Sequence, residues 1–340
     1  MARQPDFEQF LKVLRREGSP THLPFYEHIA SPGFVRDRLG VDLSKVAGRG
    51  HWQLFVDFWL GMGFDCVPME IPPKLHLGDS GGQGLSHESE AHAVIRTRAE
   101  FEAYDWPDLS SPIDFEPFEI VGQLLPEGVK IVGGVCAGPY EWVSQMMGVM
   151  GMSYALADDP QLVADMFGRI RQIHGSAVRQ LATMEAIGAL RQGDDLGFKT
   201  ATFLPPHQLR DWVFPIYRDL VEAAHGQGKP FILHSCGNLA EVYDDIADCG
   251  VDAKHSFEDV IQPVQDFKKQ YGHRMTPLGG LDVDFLCRGS EDEIRAYTRR
   301  VVEACFDDGY YALGTGNSLT DYLPVANYLI ALDEGMKVGG

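Results

Sequence analysis

Residues 229–246 read KPFILHSCGNLAEVYDDI. A short apolar run, Pro230 to Leu233, ends in His234-Ser235-Cys236; Gly237-Asn238 then turns the chain, and a helical pattern begins at Ala240. An apolar run too short for a helix, a glycine turn and an amphipathic stretch make one β–α unit. The unit recurs along the chain. Strand candidates are His22–Ile29, Phe64–Ile71, Val129–Ala137, Ala186–Gln192, Pro230–His234, Ala253–Phe257, Met275–Gly279 and Tyr310–Leu313. Helical patterns follow the fourth to seventh at Gln208–Gln227, Ala240–Cys249, Ile261–Tyr271 and Glu291–Asp307. Eight such units close a parallel barrel. An open doubly wound sheet would place a glycine-rich G-x-G-x-x-G turn after its first strand, and none stands there. The expected fold is therefore α/β: a single (β/α)8 TIM barrel, residues 1–340 forming one domain.

The connection between the second and third strands is too long for one helix. From GDSGGQGLSHESE (78–90) to WPDLSSPIDFEPFEIVG (106–122) it is rich in Gly, Ser, Pro and acidic residues. It reads as an insertion over the barrel mouth, with a plain surface loop as the alternative.

Composition bounds the partners. With 44% hydrophobic residues in 340, the chain can bury a large core. A formal charge of −20 argues against nucleic acid and anionic membranes, since each phosphate contact needs a Lys or Arg. A small molecule suits it better. Six cysteines, scattered from Cys66 to Cys305, do not make a disulfide framework and point to free thiols in a reducing compartment. The opening MARQPDFEQFLKVLRREGSP is charged and mixed rather than a basic stub before an apolar core. The longest apolar region, Val132–Ala157, is broken by Glu141, Ser144, Gln145 and glycines. A cytoplasmic monomer or homodimer is expected.

In a barrel of this kind the chemistry sits at the C-terminal strand ends. Glu27 and His28 close the first strand, Glu70 the second, and Cys136 to Glu141 the third. Asp194 and Asp195 follow the fourth, His234 and Cys236 the fifth, His255, Glu258 and Asp259 the sixth. Asp282 and Asp284 follow the seventh, and Thr315, Asn317 and Ser318 the eighth. Alternate residues at a strand end share a side, so His234 and Cys236 can reach one ion, and imidazole with thiolate suits Zn2+. Two ligands are an incomplete site, and a capped loop with a buried free thiol is the competing reading. His255 can likewise be a core histidine, and Asp194-Asp195 helix-entry carboxylates.

The run GDDLGFKTATFLPPHQLRDWVFPIYRDLVEAAHGQGKPFILHSCGNL (193–239), continued by GVDAKHSFEDV (250–260), LGGLDVDFL (278–286) and YALGTGNSLTDYLPVANY (311–328), resembles the uroporphyrinogen decarboxylase superfamily. Within it the likeness is to cobalamin-dependent methyltransferases and their demethylase relatives. AGPYEWVSQMMG (137–148) and DDPQLVADMF (158–167) extend it, and it covers nearly the whole chain from about Asp6 to Gly335. The resemblance implies a (β/α)8 barrel with a cleft at the C-terminal strand ends, Zn2+ held by an H-x-C pair and a later cysteine, and a corrinoid carried by a partner protein. His234 and Cys236 match the pair. Where the later cysteine would fall, the chain reads GTGNS, with Thr315 or Gly316 at that place.

Glu141 is the first replacement ligand, with Glu70, His255 and Asp195 projecting toward the same mouth; an empty site is the alternative. Catalytic roles fall to Asp195, Glu258 and His255. Glu27, Glu70, Cys136, Asn238 and Asn317 are expected to bind substrate. The decarboxylases carry an arginine-bearing R-Q-A-G-R segment after the first strand, where this chain has PFYEHIASPGFVRDRLG (24–40). A polyanionic tetrapyrrole needs fixed cations, so methyl transfer is favoured over decarboxylation. A non-catalytic barrel that binds a tetrapyrrole or a corrinoid protein is the third reading.

Overall fold

The computed structural model describes residues 3–78 and 92–338. Six parallel strands pair in chain order: β1 (Cys66–Ile71), β2 (Lys130–Val135), β3 (Ile187–Gly193), β4 (Phe231–His234), β5 (Ala253–His255) and β6 (Thr276–Leu278). Helices separate them, as Pro160–Thr183 before β3 and Phe214–His225 before β4. The remaining two staves are residues 24–30 and 312–319. Parallel bridges Leu278–Ala312 and Leu281–Thr315 join the last stave to the β6 side; Phe25–Leu313 and Ala30–Leu319 join it to the first.

The sequence predicts continuous strands at these two places, and the structure has isolated bridges instead. Two features thin the ladder. Pro24 has no N–H to donate, and the N–H of Thr315 is taken by the Glu27 carboxylate at 2.6 Å rather than by a neighbouring carbonyl.

All eight staves nevertheless share one interior. Tyr26, Cys66, Val132, Ala189, Ile232, Ala253, Leu278 and Ala312 form a single fully buried cluster, one residue from each stave. The helix Phe7–Arg15 plugs its base. Its buried face brings Phe7, Phe10, Val13 and Leu14 into the same cluster, and Phe10 stacks on Tyr26 at 5.7 Å. The sequence had shown this segment only as charged and mixed; its apolar residues recur at helical spacing, with Asp6 capping the first turn through Glu8 N–H.

Strand alternation then decides what faces the mouth. In β4 Ile232 points into the barrel, so His234 does too. In β5 the inward pair is Ala253 and His255, while Lys254 points outward. Burying Lys254 requires acceptors, and its Nζ donates to the carbonyls of Ser235, His255 and Ser256, tying the loops after β4 and β5 together. Among the described part of the β1–β2 connection, helices Arg98–Ala103 and Glu116–Leu124 form and Pro73 bridges Ile113. Residues 79–91, which hold nearly all of GDSGGQGLSHESE, lie outside the described residues. Among those described, no helix is long and apolar enough to cross a membrane.

Candidate active site and metal centre

The inward residues above the apolar layer are Glu70, Arg191, His234 and His255, joined by His28 from the first stave; Glu27, between inward Tyr26 and His28, points the other way, toward Tyr328. Two glycines make room. A Cβ on Gly193 would lie 2.8 Å from His28 Nε2, and one on Gly134 2.8 Å from Arg191 Cγ.

The histidines order one another's protons. Burial holds all three imidazoles neutral, His28 and His234 well below the ordinary value and His255 at about 3. His255 Nε2 lies 3.1 Å from the Thr315 carbonyl, which can only accept, so that nitrogen carries the hydrogen. The neutral ring leaves Nδ1 as an acceptor, 2.7 Å from His234 Nδ1. His234 must therefore donate through Nδ1, and its Nε2 carries the lone pair. That lone pair is 3.4 Å from Cys236 Sγ and 3.6 Å from Asp195 Oδ1. A ligand histidine fixed through its other nitrogen is the usual arrangement at metal sites.

Cys236 is supported in the same way. Ser256 Oγ and Asn317 Nδ2 donate to its sulfur at 3.3 and 3.4 Å, and its backbone N–H donates to Asp195 Oδ1 at 2.9 Å. Ser256 is held at φ 82°, a costly conformation for a non-glycine residue, and one that here accompanies a contact to the sulfur. Burial and the nearby Asp195 charge hold the thiol well above its ordinary pKa. Asp195, His234 and Cys236 offer donor atoms that all lie within 4.8 Å of one another. An imidazole lone pair, a carboxylate and a sulfur already receiving two hydrogen bonds form a donor set that lacks only positive charge. Zn2+ fits it.

Glu141, the first choice for third ligand, is not in that cluster. Its Oε2 accepts the Gly138 N–H at 3.1 Å and closes the first turn of its own helix, Pro139–Met147. Burial and Asp195 together hold its carboxyl well above the ordinary range. Asp194 serves the same helix end. It accepts from the N–H groups of Tyr140 and Glu141 at 3.2 and 3.0 Å and from Tyr217 hydroxyl at 2.8 Å, and burial raises it to about 7. Of the Asp194-Asp195 pair, one is thus a helix-entry carboxylate and the other lies beside His234 and Cys236.

Thr315 faces away from the sulfur. Its Oγ1 and N–H both donate to Glu27, at 2.6 Å each, and Tyr328 hydroxyl adds a third bond at 2.9 Å. Glu27 is thereby a fully buried clasp between the first and last staves, raised by burial to about 8. The folded state binds a proton here that the unfolded chain releases near the ordinary carboxyl value of 4.5. Glu27 therefore favours folding less and less as pH rises from about 4.5 to about 8, and its contribution is constant above that. We expect the stability difference between wild type and Glu27→Gln, read from urea midpoints at fixed pH, to shift toward the variant by a few kcal/mol between pH 5 and pH 9. A difference independent of pH would show that Glu27 is ionised in the fold.

Glu70 accepts from Arg191 Nη2 at 2.9 Å and lies 3.6 Å from His28 Nε2. Arg191 also donates to the His28 carbonyl, and its Nη1 lies 3.2 Å from His28 Nδ1. The His28 ring stacks on His234 at 4.0 Å, which couples this pair to the ligand cluster. Cys136 lies beside Glu70, its thiol raised by burial. Glu258 and Asn317 line a cleft of about 540 Å3 with Asp282 and Tyr322; burial, then Asp282, raises the Glu258 carboxyl. Asn238 turns its carboxamide oxygen to the Ala240 N–H at 3.1 Å, within its own loop. A cavity of about 560 Å3 opens beside Gly128–Lys130 at the opposite end of the strands, away from all these groups.

Residues 85–333 match the family model described as uroporphyrinogen decarboxylase (URO-D). The chain belongs to the uroporphyrinogen decarboxylase family. Among individual proteins it is 24% identical over 220 residues to the methylcobamide:CoM methyltransferase MtaA of Methanosarcina barkeri, an alignment covering 64% of this chain and 60% of that protein. The chain thus spans less than two thirds of that relative's length. A methyltransferase from Methanosarcina mazei superposes with a TM-score of 0.68 at 18% identity, over 98% of this chain and 99% of the other. That likeness shows the barrel fold.

Three residues of this uroporphyrinogen decarboxylase family member were not singled out in its sequence: Arg191, Ser256 and Lys254. Arg191 had a signal. In GALRQGDD a charged residue interrupts an apolar strand two positions after Ala189, on the inward register, and a buried arginine needs a carboxylate partner.

Proposed function

We propose that the protein is a corrinoid-dependent methyltransferase that moves a methyl group between a small substrate and a corrinoid protein, with zinc held by His234, Cys236 and Asp195. The observation that carries it is the fixed His234 tautomer, whose lone pair meets the Cys236 sulfur and the Asp195 carboxylate. The names of the two relatives, both methyltransferases, support the same reaction class. When bound, zinc supplies Lewis acidity that lowers the pKa of a thiol or polarises an ether oxygen.

The chain's own groups do the rest. With a thiol acceptor, the S–H proton leaves to a base and the sulfur forms a bond to the methyl carbon as the methyl–carrier bond breaks, its electron pair staying on the carrier. On this reading Glu258, which lines the cleft with Asn317, takes that proton. With a methyl ether as donor, the same carboxyl, once it has bound a proton, gives it to the departing oxygen. Ser256 and Asn317 hold the Cys236 sulfur, and His255 holds His234.

Decarboxylation of a polyanionic tetrapyrrole is less well supported. The arginine at the floor of the mouth, Arg191, is already neutralised by Glu70, and Glu258, Asp282 and Asp284 border the cleft. The test is methyl transfer from methylcobalamin to 2-mercaptoethanol, and demethylation of methyl ethers in the presence of cob(I)alamin, beside uroporphyrinogen III as the competing substrate. Coproporphyrinogen formation without methyl transfer would overturn the proposal. For the third ligand, Asp195→Asn is expected to weaken zinc roughly 10- to 100-fold by chelator competition, and Glu141→Gln by less than about threefold. The reverse order would restore Glu141 to the metal.

A further inference from the structure

Lys254 is 1% exposed and stands in β5 between inward Ala253 and His255, so its side chain runs away from the mouth into the layer of helices. There its Nζ lies 4.3 Å from the centre of the Phe257 ring, with the Tyr243 and Phe267 rings at 5.8 and 5.9 Å. The same nitrogen meets the carbonyls of Ser235 and His255 at 3.3 and 3.2 Å, and that of Ser256. Carbonyls only accept, so three of them call for three N–H bonds, which an ammonium has and a neutral amine lacks. Burial lowers the Lys254 pKa to about 7, and these carbonyls stand where water would otherwise solvate the charge.

The three carbonyls belong to the peptide units around the donor cluster. Ser235–Cys236 is pinned at both ends: its carbonyl accepts from Lys254, and its N–H donates to Asp195 Oδ1 at 2.9 Å. Ser256–Phe257 is pinned likewise, its carbonyl by Lys254 and its N–H by the Gly316 carbonyl at 2.8 Å. The carbonyls of His255 and Ser256 are consecutive. Along an extended strand consecutive carbonyls point to opposite sides, so one nitrogen reaches both only where the chain turns, and Ser256 at φ 82° is that turn. A serine held there is strained, and its Oγ is the group that donates to the Cys236 sulfur.

We infer that Lys254 is a positioning residue for the donor cluster: its ammonium draws the His255 and Ser256 carbonyls together and so holds Ser256 in the left-handed turn. The turn keeps the Ser256 hydroxyl on the Cys236 sulfur, and the bond to Ser235 keeps that sulfur beside His234 and Asp195. Because the side chain runs away from the mouth, its effect passes through these peptide units and not through contact with substrate. As a brace on the backbone the inference stands alone; as a brace on a zinc ligand it rests on the metal site proposed above.

Two measurements separate these levels. Lys254→Met keeps the apolar stem and deletes the three donors, whereas Ser256→Gly takes a positive φ without strain. Amide hydrogen exchange on the metal-free protein reads the backbone. In Lys254→Met the Cys236 and Phe257 amides should exchange about tenfold faster, the worth of one hydrogen bond to a charged group, while Leu190 in β3 keeps its rate, the mark of a local opening. Adding Ser256→Gly should return both amides toward the wild-type rate, because glycine holds the turn unaided. Cobalt(II) titration reads the site: Lys254→Met should weaken the sulfur-to-cobalt charge-transfer band and lower Co2+ affinity roughly 10-fold, the low end for outer-shell partners. Wild type without that band, but with the expected exchange pattern, would remove the metal reading and leave the brace standing. Should Lys254→Met fail to fold, a folded Lys254→Met/Ser256→Gly protein upholds the inference. Exchange that quickens equally at Leu190, a band and affinity unchanged in Lys254→Met, or a double variant no better than Lys254→Met would each overturn it.

Discussion

Cys236→Ser and His234→Ala are each expected to lower zinc affinity more than about 100-fold and to abolish methyl transfer. The reason is geometric. Second-sphere changes at metal sites cost 10- to 100-fold, and on the proposed reading these two residues are the ligands themselves. His255→Phe provides the graded control. It removes the acceptor that forces His234 to donate through Nδ1, leaves a ring of similar size, and should cost 10- to 100-fold through loss of tautomer control alone. Competition against a chromophoric chelator measures all three on one scale, and circular dichroism checks that each variant folds. Wild-type protein that takes up no transition metal from zinc-supplemented medium would remove the basis of the metal centre. Zinc retained equally by all variants would place the ion elsewhere.

Arg191→Leu is expected to destabilise the fold by about 3–5 kcal/mol, the cost of removing one partner from a buried ion pair. Arg191 is 1% exposed, and without it the Glu70 carboxylate and the His28 carbonyl are left in the barrel without their donor. Pairing it with Glu70→Leu should recover much of that loss, because a matched apolar pair buries no lone charge. Urea midpoints for wild type, both single variants and the double variant close the cycle. A loss below about 1 kcal/mol for Arg191→Leu would mean that water reaches Glu70 and solvates it.

Much of this was legible in the sequence because strands in a buried parallel sheet advertise themselves. PFILH and VDAKH place their histidines two residues after an inward apolar residue, so the same alternation that predicts the strand predicts where His234 and His255 point. The third member of the donor cluster was not legible in the same way. Asp195 and Glu141 both follow strand ends, and nothing in the order of residues says that Glu141 will turn back to Gly138 while Asp195 comes within reach of Cys236. That choice is made by loop geometry. Nor does the sequence reveal that Thr315 belongs to Glu27, a partner 288 positions away.

The plug formed by Phe7–Arg15 bears on how the chain is made. On the ribosome this helix emerges before any of the strands, yet its apolar face rests on residues as late as Leu278 and Ala312. Until those arrive, Phe7, Phe10, Val13 and Leu14 have no native surface to cover, and the growing sheet has an open base. Contacts this distant in sequence slow folding and lengthen the time for which apolar surface is exposed to other chains. Nascent chains stalled before Ala312 should therefore bind holdase chaperones and lose the N-terminal segment to protease, whereas release of the full chain should protect it. A segment translated ahead of every strand is among the last to find its place.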